Sequence, residues 1–438
     1  MAQHPTQAPA RAAAVCEDLT AGWGASVALT LERGNTLQRL SDEQHEAIFR
    51  ARHLRGVASP GYLSKIGRYR ALRIGLPALS HALWGRQDDA VRGARYLFAT
   101  PRYHSLLEEL PRNQVALLGM RKSHVRYAEA NGIPCRTVFS ERAALARNLP
   151  TPRAPAALDQ TFDELVRALR GDEGRFLIVK TDVNPINRLL VFAAREAGLR
   201  SVCLQHGVFS RTSHSFVYDG WHADYTLVYD SHQRAILEDV GFASSRLPIL
   251  GFHASPVTRR FPDPDPGRTR RVCFFGQAFG WDAPERRQRY REVVRAALTQ
   301  LAAAGVEVAF KPHPRERSKP DVGEFASLFE GSMADAFEQF EVCVSISSTS
   351  LIEATLAGRV AIQLYDELFR GGRFDEAPYA HLVHADRLDE LPARCLEAAP
   401  VANPELELMS PEQVRDRFVE VLDGLAPNPP PHPSHEEA

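Results

Sequence analysis

From about residue 93 onward, short apolar runs alternate with longer stretches in which apolar residues recur every three to four positions. Continuous apolar runs of strand length joined by helical segments are the pattern of strands buried on both faces of a parallel sheet. In the first half the expected strands are ARYLFAT, QVALLGM, CRTVF, RFLIVK, SVCLQ, YTLVY and LPILG. Between the fourth and fifth lies NRLLVFAAREAGL, apolar at Leu189, Leu190, Phe192, Ala193 and Ala197 and closing on Gly198 as a C-cap, so this stretch reads as one βαβ unit. After Gly251, FHASPVTRRFPDPDPGRTRR carries four prolines and no periodicity and reads as a linker. A second run then begins: RVCFFG, a long helix ERRQRYREVVRAALTQLAAAG, VEVAFK, a helix expected near Val322 to Phe329, VCVSI, the helix LIEATLAG, VAIQLY and HLVHA. The pattern divides the chain into a mostly helical region at 1–92, an α/β domain at 93–252, a linker at 253–270, a second α/β domain at 271–426 and a tail at 427–438.

Composition supports that division. A chain of 438 residues exceeds the size at which one core stops growing, so two domains of about 150 to 200 residues are expected. Hydrophobic residues at 44% and charged residues at 24% belong to an ordinary globular protein. Lys and Arg number 53 against 54 Asp and Glu, so no net field recruits nucleic acid or an anionic bilayer. Cys16, Cys135, Cys203, Cys273, Cys343 and Cys395 are far apart, three of them inside apolar runs, which suits reduced thiols and a cytoplasmic location. The start of the chain shows neither a signal-peptide pattern nor a bilayer-spanning stretch. The first dozen residues and PNPPPHPSHEEA are expected to be disordered. Residues 17–90 include the basic, aromatic YLSKIGRYRALR, which reads as a solvated helical face, an acceptor-binding surface or a membrane-contact element.

In open α/β sheets ligands bind beyond the carboxyl ends of the strands. Five such ends carry polar chemistry: Asp182 after RFLIVKT; Gln205, His206 and Gly207 after SVCL; Gly276 and Gln277 after RVCFF; Lys311 and His313 after VEVAF; and Ser347, Ser348, Thr349 and Ser350 after VCVSI. Four hydroxyls ahead of a helix suit a phosphate, although Ser350 with Glu353 three residues on also fits a capping box. In KPHPRE, Pro312 and Pro314 stiffen the turn, so that His313 donates to a phosphate oxygen while Lys311 or Arg315 adds charge. His206 is placed to act as a general base, with Gly207 permitting an unusual backbone or the close approach of a ligand. Asp182, or Asp219 in YDGWHAD, either orients His206 or serves as the base in its place. The chain lacks GxxxxGK[ST], GxGxxG and HExxH, and its single DxD-like string, Asp263 to Asp265, lies in the linker, so no metal site and no separate cofactor are expected.

With QHG in the first half and KPHPRE and SISSTSLIEATLAG in the second, the chain resembles bacterial GT-B glycosyltransferases of surface polysaccharide synthesis. Polysialyltransferases, capsule Kdo transferases and CDP-glycerol glycerophosphotransferases are the members it is most similar to, over roughly residues 93–395. The resemblance implies two Rossmann-like domains facing across a cleft, the first for the acceptor and the second for the nucleotide sugar. In the CMP-sugar enzymes an HP motif and a serine pair contact the nucleotide phosphate, which matches His313, Pro314, Ser347 and Ser348. In CDP-alditol transferases an HG histidine is linked to catalysis, which matches His206 and Gly207. Asp219 and Gly220 match only part of the acidic-acidic-Gly motif of some sialyltransferases, since Tyr218 replaces the first acid. The implied activity is metal-independent, inverting transfer of a CMP-activated nonulosonic acid or Kdo to a glycan or glycolipid at the cytoplasmic membrane face, with Gly276 admitting the leaving nucleotide. Two alternatives stay open: a CDP-alditol phosphotransferase, and a hydrolysing UDP-sugar 2-epimerase, which has the same scaffold and needs paired catalytic carboxylates.

Overall fold

A computed structural model describes residues 91–119, 122–138, 154–171, 175–181, 185–210, 223–239, 242–253, 257, 259–262, 270–277, 284–314, 316, 322–369 and 372–425. The expected helical region up to residue 90, the tail, Asp182, Asp219, Asp263 to Asp265 and Arg315 lie outside the described residues.

In the first half the strands are β1 (Tyr96–Phe98), β2 (Val115–Gly119), β3 (Cys135–Thr137), β4 (Phe176–Val179), β5 (Arg200–Leu204) and β6 (Tyr225–Leu227). Among them run helices α1 (His104–Glu109), α2 (Lys122–Ala130), α3 (Ala154–Leu169) and α4 (Pro185–Glu196), and α5 (Ser231–Glu238) follows. The second half has β7 (Val272–Phe275), α6 (Pro284–Ala303), β8 (Val308–Lys311), β9 (Ser327–Leu328), α7 (Met333–Gln339), β10 (Val342–Ser345), α8 (Ser350–Leu356), β11 (Val360–Tyr365), β12 (His381–His384), α9 (Leu391–Glu397) and α10 (Pro411–Asp423).

All pairings within both sheets are parallel. The first sheet has the order β3-β2-β1-β4-β5-β6 and the second β12-β11-β10-β7-β8-β9. Numbered from its own first strand, each half reads 3-2-1-4-5-6, the order of a doubly wound Rossmann domain. The near-continuous apolar strands are what such a sheet requires, because helices cover both faces. Leu97, Leu177 and Cys203 pack on one face of the first sheet and Tyr96, Phe176 and Val202 on the other. The second sheet divides in the same way between Phe274 and Val344 on one side and Cys273 and Cys343 on the other.

Three local differences from the sequence pattern have physical causes. LPILG forms a single parallel bridge, Val228 to Ile249, because Pro248 has no N–H to continue a ladder. The helix expected near Val322 to Phe329 is absent. Only Val322 in that stretch is fully buried, Phe329 N donates to Phe310 O, and the segment adds the edge strand β9 to β8. Third, α10, which the expected boundaries put in the second domain at 271–426, packs on the first sheet. Its Phe418 ring lies 5.7 Å from that of Tyr96 and 6.3 Å from that of Phe98, with Val414 and Leu422 beside it in the same core. The helix starts at a capping box of Ser410 and Gln413, and an Arg95–Asp423 ion pair and an Arg200 bond of 2.9 Å to Leu425 O fasten its far end.

Candidate functional site

In the first half the site begins with a buried glutamine. Gln205, 1% exposed, receives Tyr229 N at 2.8 Å and donates to Gly207 O at 2.7 Å and to Gln233 Oε1 at 2.6 Å. Gln233 in turn accepts from Phe209 N at 2.7 Å. These bonds fix Gly207 O and Phe209 N of the loop after β5, while the next residue, His206, stays exposed. Gly207 is not in the left-handed region, and a side chain there would meet open space, so its backbone is ordinary and the room in front of it remains. Arg102, on the loop after β1, contacts His206 Nε2 through its guanidinium. Tyr229 lies beneath, 2% exposed, its ring 4.9 Å from Phe252 and 5.8 Å from His253. His253 stands where the chain leaves the first half. Burial holds its pKa down to about 4, and its Nε2 has no hydrogen-bond partner.

In the second half β7 and β10 are neighbours and the chain winds outward from them in opposite directions, which makes their carboxyl ends the topological switch point. Gln277, after β7, and Ser347, after β10, hydrogen-bond across it at 3.2 Å. Gln277 N also donates to the Tyr290 hydroxyl at 2.9 Å, and that hydroxyl donates to Glu316 Oε1 at 2.9 Å. The other carboxylate oxygen of Glu316 accepts from His313 N at 3.1 Å. Tyr290 on α6 thus braces the β7 loop and the His313 turn together. A side chain at Gly276 would collide with Glu316 Oε2 and stand 2.9 Å from Phe310, so the space there is filled by this brace. Lys311 donates to Gly331 O and lies 5.3 Å over the Phe329 ring, on the β9 side.

The hydroxyl loop is mixed. Ser347, Ser348 and Thr349 are half-buried, whereas Ser350 is buried and donates to Ser348 Oγ at 2.7 Å. The capping box for Ser350 does not form: the N-cap position of α8 is Thr349, in helical conformation and without a side-chain cap. Because α8 has only seven residues, the phosphate reading rests on the hydroxyls rather than on a helix field. Glu353 forms no capping box with Ser350. Burial pushes its carboxyl up to about 8. Burial raises the Tyr229 pKa, the Glu353 charge raises it further, and Arg102 opposes both.

The halves also touch directly. Gln363, 1% exposed, holds the loop after β11 by donating to Ile346 O at 3.0 Å and Gly372 O at 2.8 Å and by accepting from Phe374 N at 2.8 Å. That loop presses Gly372 against Val208 O, leaving no room for a side chain, and Ser210 Oγ donates to Glu376 Oε1 at 2.7 Å. Deeper in, Asp230 caps α5 through Gln233 N and accepts from the Tyr379 hydroxyl at 2.6 Å and Asn403 Nδ2 at 3.1 Å. The loop carrying His206 is thereby docked on the second half.

Of the residues expected from sequence, Gly276, Gln277, His313, Ser347 and Ser348 gather at the second switch point, with exposed Pro314 beside them and Glu353 facing Tyr229. Arg102, Tyr290, Glu316 and Gln363 were missed, because Arg102, Tyr290 and Gln363 act on residues distant in the chain and Glu316 is joined to one of them, Tyr290. A glutamate three residues beyond the histidine in KPHPRE was the one visible signal. Among the described residues no group of three or more His, Cys, Asp or Glu is placed to hold a metal ion, and no helix is long and apolar enough to cross a membrane.

Two doubly wound, Rossmann-like domains that meet through the loops after β5 and β11 define the class: a two-domain α/β protein of GT-B type. No protein-family model and no curated protein matches the sequence. Solved structures with similar folds include HepE of Anabaena in complex with UDP and glucose, at 12% identity over 76% of this chain and 100% of that one, TM-score 0.47. The UDP-GlcNAc 2-epimerase of Neisseria meningitidis bound to UDP-GlcNAc matches at 12% identity over 75% and 98%, TM-score 0.47. A putative UDP-N-acetylglucosamine 2-epimerase of Listeria monocytogenes matches at 12% over 74% and 95%, TM-score 0.49. The fold itself stands on the strand order of the two sheets.

Proposed function

We propose that this chain is a metal-independent, inverting glycosyltransferase that moves a sugar from a nucleotide donor, CMP-activated nonulosonic acid or Kdo, onto a glycan or glycolipid acceptor of bacterial surface polysaccharide synthesis. The supporting observation is the docking of the His206 loop on the second half, through Val208 on Gly372 and Ser210 on Glu376, at the loop after β11, the neighbour of the strand that leads to Ser347. His313, with Gln277, Ser347, Ser348 and Thr349, would hold the donor phosphate and stabilise the charge that develops on the leaving nucleotide. Glu353, protonated below about pH 8, would donate to an oxygen of the donor. His206 would take the proton of the acceptor hydroxyl, with Asp182 or Asp219 orienting it or substituting for it. No cofactor beyond the donor is needed, and a peripheral membrane contact would bring a lipid-linked acceptor within reach.

The test is His313→Ala. Transfer is expected to fall by about 100-fold or more, the usual cost of one lost oxyanion donor, with the melting temperature retained. Thermal shift with CMP, CDP, UDP and GDP should show stabilisation by CMP. Full activity in the variant, or no stabilisation by CMP or CDP, overturns the assignment. Preference for CDP-alditols moves it to a phosphotransferase, and product release from a UDP-sugar alone moves it to an epimerase.

A further inference from the structure

A guanidinium has donors only, so in the Arg102–His206 contact Nε2 supplies the lone pair and the proton of the neutral imidazole sits on Nδ1. The lone pair that a base requires is therefore covered by Arg102. Strand order explains the reach: β4 lies between β1 and β5, so the loops after β1 and β5 flank the loop after β4, and Arg102 spans from one to the other. The charge of Arg102 also acts on Tyr103 and Tyr229, at the boundary with the second half.

We infer that Arg102 is the binding residue for an anionic group of the substrate, a carboxylate on the transferred sugar or a phosphate on the acceptor, and that this group draws the guanidinium off His206 Nε2 and uncovers the base. The inference rests on the glycosyltransferase reading. Carboxylate and phosphate both accept the paired N–H fork of arginine through charge-assisted bonds, which a neutral imidazole cannot match. Once uncovered, Nε2 takes the proton of the acceptor hydroxyl while that oxygen bonds to the anomeric carbon. The bond from the anomeric carbon to the phosphate oxygen breaks, and its electron pair leaves with the nucleotide. A substrate without the anion leaves the base covered, so recognition and activation are one event.

The test compares kcat/KM for a carboxylated donor and its carboxyl-reduced analogue, each with a phosphorylated and an unphosphorylated acceptor, in the native chain, Arg102→Ala and Arg102→Lys. The native chain should prefer one anionic substrate by about 30-fold or more, the factor that goes with losing one partner of a charge pair. That preference should collapse toward one in Arg102→Ala and recover in part in Arg102→Lys. Whichever substrate carries it identifies the source of the anion. Equal losses on all substrates, or an unchanged preference, overturn the proposal. A second measurement needs no turnover: in 15N-histidine-labelled protein, free N-acetylneuraminate or inorganic phosphate should shift the His206 Nε2 resonance, assigned with His206→Ala. No shift in the native chain, or the same shift in Arg102→Ala, sinks the inference. Stabilisation by CMP lost in His313→Ala and kept in Arg102→Ala separates its failure from that of the glycosyltransferase assignment.

Discussion

Glu353 is a half-buried carboxyl in the first turn of α8, and its raised pKa makes a prediction about pH. In the unfolded chain it titrates near the ordinary value of 4.5 and in the folded chain near 8, so between those limits the folded state binds the extra proton. Stability contributed this way is complete below the unfolded value and is lost as pH rises through 8. Glu353→Gln should therefore raise the melting temperature by several degrees at about pH 9 and leave it unchanged at about pH 4, as read by calorimetry across the range. The same scale shows why parts of the site escaped sequence reading. His206, His313 and Ser347 stand at strand ends in recognisable strings, but Arg102 matters through a residue at position 206 and Tyr290 through one at 316. Such pairings follow from strand order, which a local pattern does not contain. Gln205 was visible and stood beside the expected chemistry, yet its side chain is consumed by the loop it supports.

At the scale of elements, legibility followed burial. Eleven of the twelve strands among the described residues coincide with runs that the hydrophobic pattern marked, because a strand covered on both faces has to be largely apolar. The exception, β9, is two exposed residues at a sheet edge, held by backbone bonds that leave no mark on side-chain hydropathy. The sequence pattern assigns the α10 segment to the second domain for the opposite reason: its apolar stripe says that it packs, and nothing local says on which half. Its contribution is measurable. Phe418 is fully buried between the Tyr96 and Phe98 rings, and Phe418→Ala should cost about 3 to 5 kcal/mol, the range for removing a core aromatic ring. Urea unfolding with a probe in each half should show the first half losing that stability, although the substitution lies near the C-terminus.

At the scale of the whole molecule, the described residues cross between halves twice, once after Gly251 and again before α10, with the Asp230–Tyr379–Asn403 cluster and the Gly372–Val208 contact between. Two crossings restrict the halves to rotation about a line rather than free swivelling. Gly372 is the close contact nearest His206, and any side chain there must push Val208 away. Gly372→Val should hold the cleft ajar. Small-angle scattering would register a larger radius of gyration, and KM for the acceptor should rise about tenfold while the donor nucleotide still binds, because each half keeps its own fold.

The return of α10 also sets an order in time. The first sheet has one apolar face complete only when Val414, Phe418 and Leu422 arrive, and about 180 residues separate β6 from that helix. At about 5 to 20 residues per second, a ribosome leaves this face unsealed for roughly 10 to 40 seconds after the last strand of the sheet has emerged. The first half is thus made first and finished last, and during synthesis it is the part of the chain most in need of a chaperone.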